Sequence, residues 1–234
     1  MKSEPQVLVG EVRETAERII AKYPNSRSAT LPLLFLVQSV EGYVTDQGMR
    51  EVADMLGLTS AQVLSSGSFY TMLKKRPQGD YLISVCRNIS CTHRGARKVV
   101  EAFEDRLGVE VGETTPDGRF TLETAECLAT CDGAPAIQVN YEDFYDVKPA
   151  DVPRLVDGLE RGDARSSRGE AVKTHKDISR ETATVGLRSP GTAGDHTGRT
   201  LGGESVRPDT SPGTRPPELG QAAGSAGAPK EGGA

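Results

Sequence analysis

The apolar positions of this chain obey different periodicities in succession. Val12, Ala16, Ile19, Ile20 and Tyr23 recur at helical spacing, and Pro24–Asn25 ends that element. Ser28 and Thr30, with Pro32 in the first turn, open a second helix through Leu33, Leu34, Leu36 and Val37 to a stop at Gly42. Thr45 or Asp46 caps a third, carrying Val52, Ala53 and Leu56 to Gly57, and Thr59 caps a fourth with Val63 and Leu64. The pattern predicts a small helical bundle over residues 1–79. Phe69, Tyr70 and Met72, at its end, either pack the bundle onto the next domain or face a partner.

At Asp80 the pattern changes. Tyr81, Leu82, Ile83, Ser84 and Val85 form a β-type run that ends at Cys86 in a polar loop. From Arg94 the chain is helical, with Ala96, Val99, Val100, Phe103 and Leu107 in one apolar stripe and Gly108 as the stop. A short strand is expected over 109–111, a turn at Pro116–Asp117–Gly118, and an extended segment over 119–125 leading into Cys127. Ala136, Ile137, Val139, then Phe144, Tyr145 and Val147, read as a hairpin. Pro149 opens a last helix with Val152, Leu155, Val156 and Leu159 on one face. Strand, helix, strand, hairpin and helix over 80–162 make the plan of a thioredoxin-like layer, a four-stranded mixed sheet covered by two helices. The fold class is α+β.

Composition alters the picture at the C-terminal end. Of 26 glycines, 13 lie after Gly162, with six of the 14 prolines and no aromatic residue. Such a stretch buries too little apolar surface to offset ordering, which costs roughly 1–2 kcal/mol per residue of backbone. Residues 163–234 are therefore expected to be a disordered tail. The first 162 residues hold 18 Lys/Arg against 24 Asp/Glu, a net of −6 that opposes a phosphate backbone. That balance disfavours nucleic acid as a partner and a helix-turn-helix reading of the segments around Gly57. The longest apolar run, residues 31–37, falls far short of the roughly 20 residues of a membrane span, and no secretory pattern opens the chain. A cytoplasmic protein without membrane insertion is expected, in which four cysteines serve as ligands more readily than as disulfides.

Those cysteines form two pairs, Cys86 and Cys91 with four residues between them and Cys127 and Cys131 with three. Each pair follows a predicted strand, so the two loops can converge at one end of the sheet. Two thiolates per iron fit a [2Fe–2S] cluster; four thiolates also fit a closed zinc site, whose pairs usually come as knuckles with roughly two to four residues between them, a range that permits the first spacing while the second is less usual. A dithiol oxidoreductase would want C-x-x-C at a helix start, which is missing. Arg87 and Arg94 are placed to offset an anionic cluster or to be solvated. His93 is a loop residue with an outer-shell role as its alternative, since a Rieske centre needs two histidines.

The runs Val85-Cys86-Arg87-Asn88-Ile89-Ser90-Cys91-Thr92-His93-Arg94-Gly95 and Glu126-Cys127-Leu128-Ala129-Thr130-Cys131-Asp132-Gly133-Ala134-Pro135 resemble the thioredoxin-like [2Fe–2S] subunit of respiratory complex I, the NADH–quinone oxidoreductase. The resemblance covers roughly residues 10–160. It includes Leu31-Pro32-Leu33-Leu34, Gln38, Gly42-Tyr43, Val52-Ala53 and Ser68-Phe69-Tyr70-Thr71-Met72 of the helical part. It implies one [2Fe–2S] cluster on Cys86, Cys91, Cys127 and Cys131, in an electron-transfer subunit that is not catalytic alone. It also implies a flavoprotein partner subunit that holds FMN and NADH, among other peripheral-arm subunits on the cytoplasmic face of the membrane. An NAD-linked hydrogenase or formate dehydrogenase uses an equivalent subunit. A zinc-stabilised interaction module is the alternative outside redox chemistry. This chain departs from the family's Cys-Leu-Gly-Ala-Cys-Gly pattern at Ala129, Thr130 and Asp132, and the tail lies outside the resemblance.

Overall fold

The computed structural model describes residues 5–187. Its helices are α1 (Gly10–Ile20), α2 (Thr30–Glu41), α3 (Asp46–Leu56), α4 (Ser60–Phe69), α5 (Ile89–His93), α6 (Ala96–Leu107), α7 (Val152–Arg161) and α8 (His175–Thr184). The strands are β1 (Tyr81–Cys86), β2 (Phe120–Ala125), β3 (Ile137–Val139) and β4 (Glu142–Phe144).

Local chemistry sets the boundaries of the helical part. Thr45 caps α3 by accepting from the Gly48 N–H at 3.0 Å, and Thr59 and Gln62 form a capping box on α4. Gly42 and Gly57 end α2 and α3 in the left-handed conformation. Leu33, Leu34, Leu36 and Val37 are all buried, because α2 is the central helix, packed by α1, α3, α4 and α8. At Gly48 a Cβ would stand 2.4 Å from Val37 Cγ1, so the glycine lets α3 approach α2 closely.

The sheet runs in the order β2-β1-β3-β4. β1 pairs parallel with β2, from Tyr81↔Phe120 to Cys86↔Ala125, and antiparallel with β3, which pairs antiparallel with β4. All six residues of the central strand β1 are buried. Ile83, Val85, Leu122 and Ile137 pack with Val99 and Phe103 of α6 and Val152, Val156 and Leu159 of α7, giving the four-stranded mixed sheet and two covering helices of a thioredoxin-like fold. A second cluster of buried side chains, from Val7 to Leu73, fills the helical part.

Two expectations are corrected. Residues 109–111 form no strand; Val109 is buried, but the chain turns at Gly112, whose N–H donates to the Leu122 carbonyl at 2.7 Å. The expected tail is also folded over its first part. Residues 164–187 return across both clusters, Val172 entering the sheet core and Ala183 the helical one. Thr174 caps α8, accepting from the Asp177 N–H at 3.2 Å, and His175, Ser179 and Ala183 turn inward. This helix is anchored by hydrogen bonds and small side chains, which leave no apolar stripe to read. Residues 188–234 of the expected tail lie outside the described residues.

Candidate metal centre

β1 and β2 end side by side, and both cysteine loops leave from that edge. Cys86 is the last residue of β1 and Cys91 lies on the short α5, so the first pair joins a strand to a helical turn rather than sitting in an open loop. Asn88 starts this turn by accepting from the Ile89 N–H at 2.7 Å, and the Thr92 hydroxyl donates to the Arg87 carbonyl at 2.8 Å. Both thiols are buried. The second pair follows β2. Cys127 and Cys131 are exposed, and Cys131 opens a 3₁₀ turn, Cys131–Gly133. The Arg87 N–H donates to the Ala125 carbonyl at 2.9 Å, tying the two loops at their roots.

Backbone donors converge on the sulfurs. Burial pushes the Cys86 thiol up, but N–H groups of Asn88 and Leu128 and the neighbouring Cys91 outweigh it, and the net effect is to lower its pKa. Leu128 belongs to the second loop, so the first pair is reached from the other side of the site. Cys91 is raised, chiefly by burial; the Ala136 N–H opposes this, and Cys86 and Cys131 add to it. The Ala129 N–H lies 3.3 Å from Cys127 Sγ. Among the described residues no three His, Cys, Asp or Glu side chains are grouped to hold one metal ion. Four thiols from two facing loops, with the Ala129 N–H aimed at Cys127 Sγ and backbone groups helping to lower the two buried thiols, suit an anionic centre with two irons, which shares its ligands in pairs.

The flanking groups separate into roles. Arg87 pairs with Glu126, linking the residue after Cys86 to the residue before Cys127. Arg94 donates from Nε to the Ala134 carbonyl at 2.6 Å and lies 3.9 Å from Asp146. It therefore fastens the α5 end to the segment beyond Cys131. His93 and Asp132 are exposed. A groove of about 400 Å³ beside Cys86 is lined by Arg87, Thr92, Ala96, Val100 and Thr124. Phe69, Tyr70 and Met72 are exposed, Phe69 by 78%, so they do not seal the bundle to the sheet. The backbone donors were beyond sequence reading, since any residue type supplies an N–H; only their loop positions beside cysteines hinted at them.

The fold and the paired thiols define a thioredoxin-like protein built to hold an iron–sulfur cluster. The chain belongs to the thioredoxin-like [2Fe–2S] ferredoxin family, whose model matches residues 16–160. It is 44% identical over 158 residues to the E subunit of the Mycobacterium tuberculosis NADH-quinone oxidoreductase, covering 68% of this chain and 63% of that protein. NADH-quinone oxidoreductase subunit 2 of Thermus thermophilus is 38% identical over 149 residues, 62% of this chain and 82% of its own length. The NADP-reducing hydrogenase subunit HndA of Solidesulfovibrio fructosivorans is 36% identical over 152 residues, 65% and 86% of the two chains. The chain thus spans less than two thirds of the mycobacterial relative's length.

Proposed function

We propose that this chain is the [2Fe–2S] electron-transfer subunit of the NADH dehydrogenase module of an NADH–quinone oxidoreductase, with the cluster on Cys86, Cys91, Cys127 and Cys131. The observation that carries the reading is the convergence of the two cysteine loops at one edge of the sheet, tied at their roots by the Arg87 N–H donating to the Ala125 carbonyl at 2.9 Å, with the Leu128 backbone of the second loop helping to lower the Cys86 thiol of the first. When bound, the cluster supplies one-electron transfer. The chain's own residues hold it: α5 and β1 present a buried pair of thiols, the second loop an exposed pair, and the N–H groups of Asn88, Leu128, Ala129 and Ala136 stabilise the thiolates.

Electrons would pass to and from the FMN of a neighbouring NADH-binding subunit, which approaches from the exposed side at Cys127 and Cys131. No helix among the described residues is long and apolar enough to cross a membrane, which suits attachment to the cytoplasmic face through the complex. The likeness to HndA supports a second reading, the equivalent subunit of an NAD(P)-linked hydrogenase.

Purification of the assembly that holds the tagged full chain separates the two readings. FMN together with NADH-driven quinone reduction supports the first. Hydrogen-driven reduction of the nicotinamide supports the second, and a chain recovered alone without flavin contradicts both.

A further inference from the structure

His175 is 1% exposed, and neither ring nitrogen meets a hydrogen-bond partner within the protein. Leaving a polar ring buried and unpaired is costly, so its position calls for a physical account. The ring sits at the start of α8, where the chain is stitched to the sheet. The His175 N–H donates to the Asp80 carbonyl at 2.7 Å, and Asn140 Nδ2 donates to the Asp80 and Lys173 carbonyls, each at 2.7 Å. Asn140 Oδ1 accepts from the Leu82 N–H at 2.9 Å. One turn further, the Ser179 hydroxyl accepts from Gln38 Nε2 of α2 at 3.0 Å, and two turns further Ala183 enters the helical core. One helix thus grips the sheet at its start and the bundle along its length.

We propose that residues 164–187 form a proton-sensitive clasp, holding the bundle against the sheet while the buried His175 ring is neutral and releasing it when that ring takes a proton. The surroundings oppose protonation in place. Lys74, from the segment after α4, brings an ammonium toward the ring. Glu123 of β2 is the counter-charge, but it is already committed, accepting from Lys74 Nζ at 2.8 Å and from the Ser84 hydroxyl at 2.7 Å. Tyr141, in the β3–β4 turn, stays neutral, its hydroxyl pushed up to about 12 by burial and by Glu123. Asp177, on α8 itself, is engaged by the Thr174 hydroxyl at 2.6 Å. Burial, then Lys74, push His175 down to about 4, with Glu123 in opposition.

The folded value lies below the free one of about 6.5, so the released state binds the proton more readily. The clasp therefore has full strength above pH 6.5 and weakens as pH falls from there toward 4, by up to tenfold in its opening equilibrium per pH unit.

Hydrogen exchange of the cluster-loaded full chain between pH 5 and 8, read as protection factors corrected for intrinsic rates, tests this. Amides of α8 are expected to lose protection by up to tenfold per unit below pH 6.5 while those of α6 keep theirs, and His175→Leu is expected to remove the slope. Constant α8 protection in the wild type, a parallel loss in α6, or an unchanged slope in the variant would overturn the clasp. Should His175→Leu fail to fold, the wild-type ring titrated by NMR decides. A midpoint held below that of free histidine supports the proposal, and one at about 6.5 overturns it.

Discussion

Ala129 holds φ at +58°, a left-handed conformation that a residue with a Cβ adopts at a cost and glycine adopts freely. The conformation aims its N–H at Cys127 Sγ, so the site keeps the geometry and bears the strain. Ala129→Gly should stabilise the folded chain by about 1 kcal/mol, seen as a rise in denaturation midpoint. Asp132 puts a carboxylate beside Cys131, where, with the cluster held as proposed, reduction would add negative charge to an already anionic centre. Asp132→Asn is therefore expected to raise the midpoint potential in a spectroelectrochemical titration, modestly because the side chain is exposed; an unchanged potential would remove Asp132 from the account. At this scale the pairing of the cysteines was legible from their spacing after two strands, though type and spacing alone left an iron–sulfur cluster and a zinc site both open. Their backbone donors were not, because a peptide N–H has no signature in sequence.

The 3₁₀ turn from Cys131 to Gly133 fits only because Gly133 lacks a side chain. A Cβ there would lie 2.7 Å from Cβ and Cγ of Tyr145, which follows β4. Gly133→Ala should shift the turn at a cost of roughly 1–3 kcal/mol and speed iron loss to a chelator. Chelator kinetics matching the wild type would show that Cys131 is not held by this contact. Among the elements, α3 and α4 were readable to their caps, because Thr45, Gly57 and Thr59 act through local hydrogen bonds and backbone preferences. α8 escaped notice because its inward residues, His175, Ser179 and Ala183, look polar or small. The absent strand at 109–111 marks the converse case, apolar residues whose pairing is decided by a turn at Gly112.

Across the molecule, Gln38 joins parts that are far apart in sequence. It is fully buried; its Oε1 accepts from the Lys74 N–H at 2.7 Å, and its Nε2 donates to the Met72 carbonyl and to Ser179. Gln38→Leu would strand the Lys74 N–H in the interior, so a loss of roughly 2–3 kcal/mol in stability is expected from equilibrium denaturation. A long-range hub of this kind cannot be inferred from periodicity; Gln38 entered the sequence reading only among the residues of the family resemblance. The path of residues 164–187 over both cores has the same origin, contacts between distant segments that no local pattern encodes.

The central claim, one cluster on four named cysteines, is most directly tested by iron and sulfide analysis with electron paramagnetic resonance of the anaerobically purified, dithionite-reduced chain. Two irons, two sulfides and a rhombic spin-half signal per chain, each lost or altered when any one of Cys86, Cys91, Cys127 or Cys131 is replaced by serine, is the predicted result. One zinc, no sulfide and no signal would contradict it.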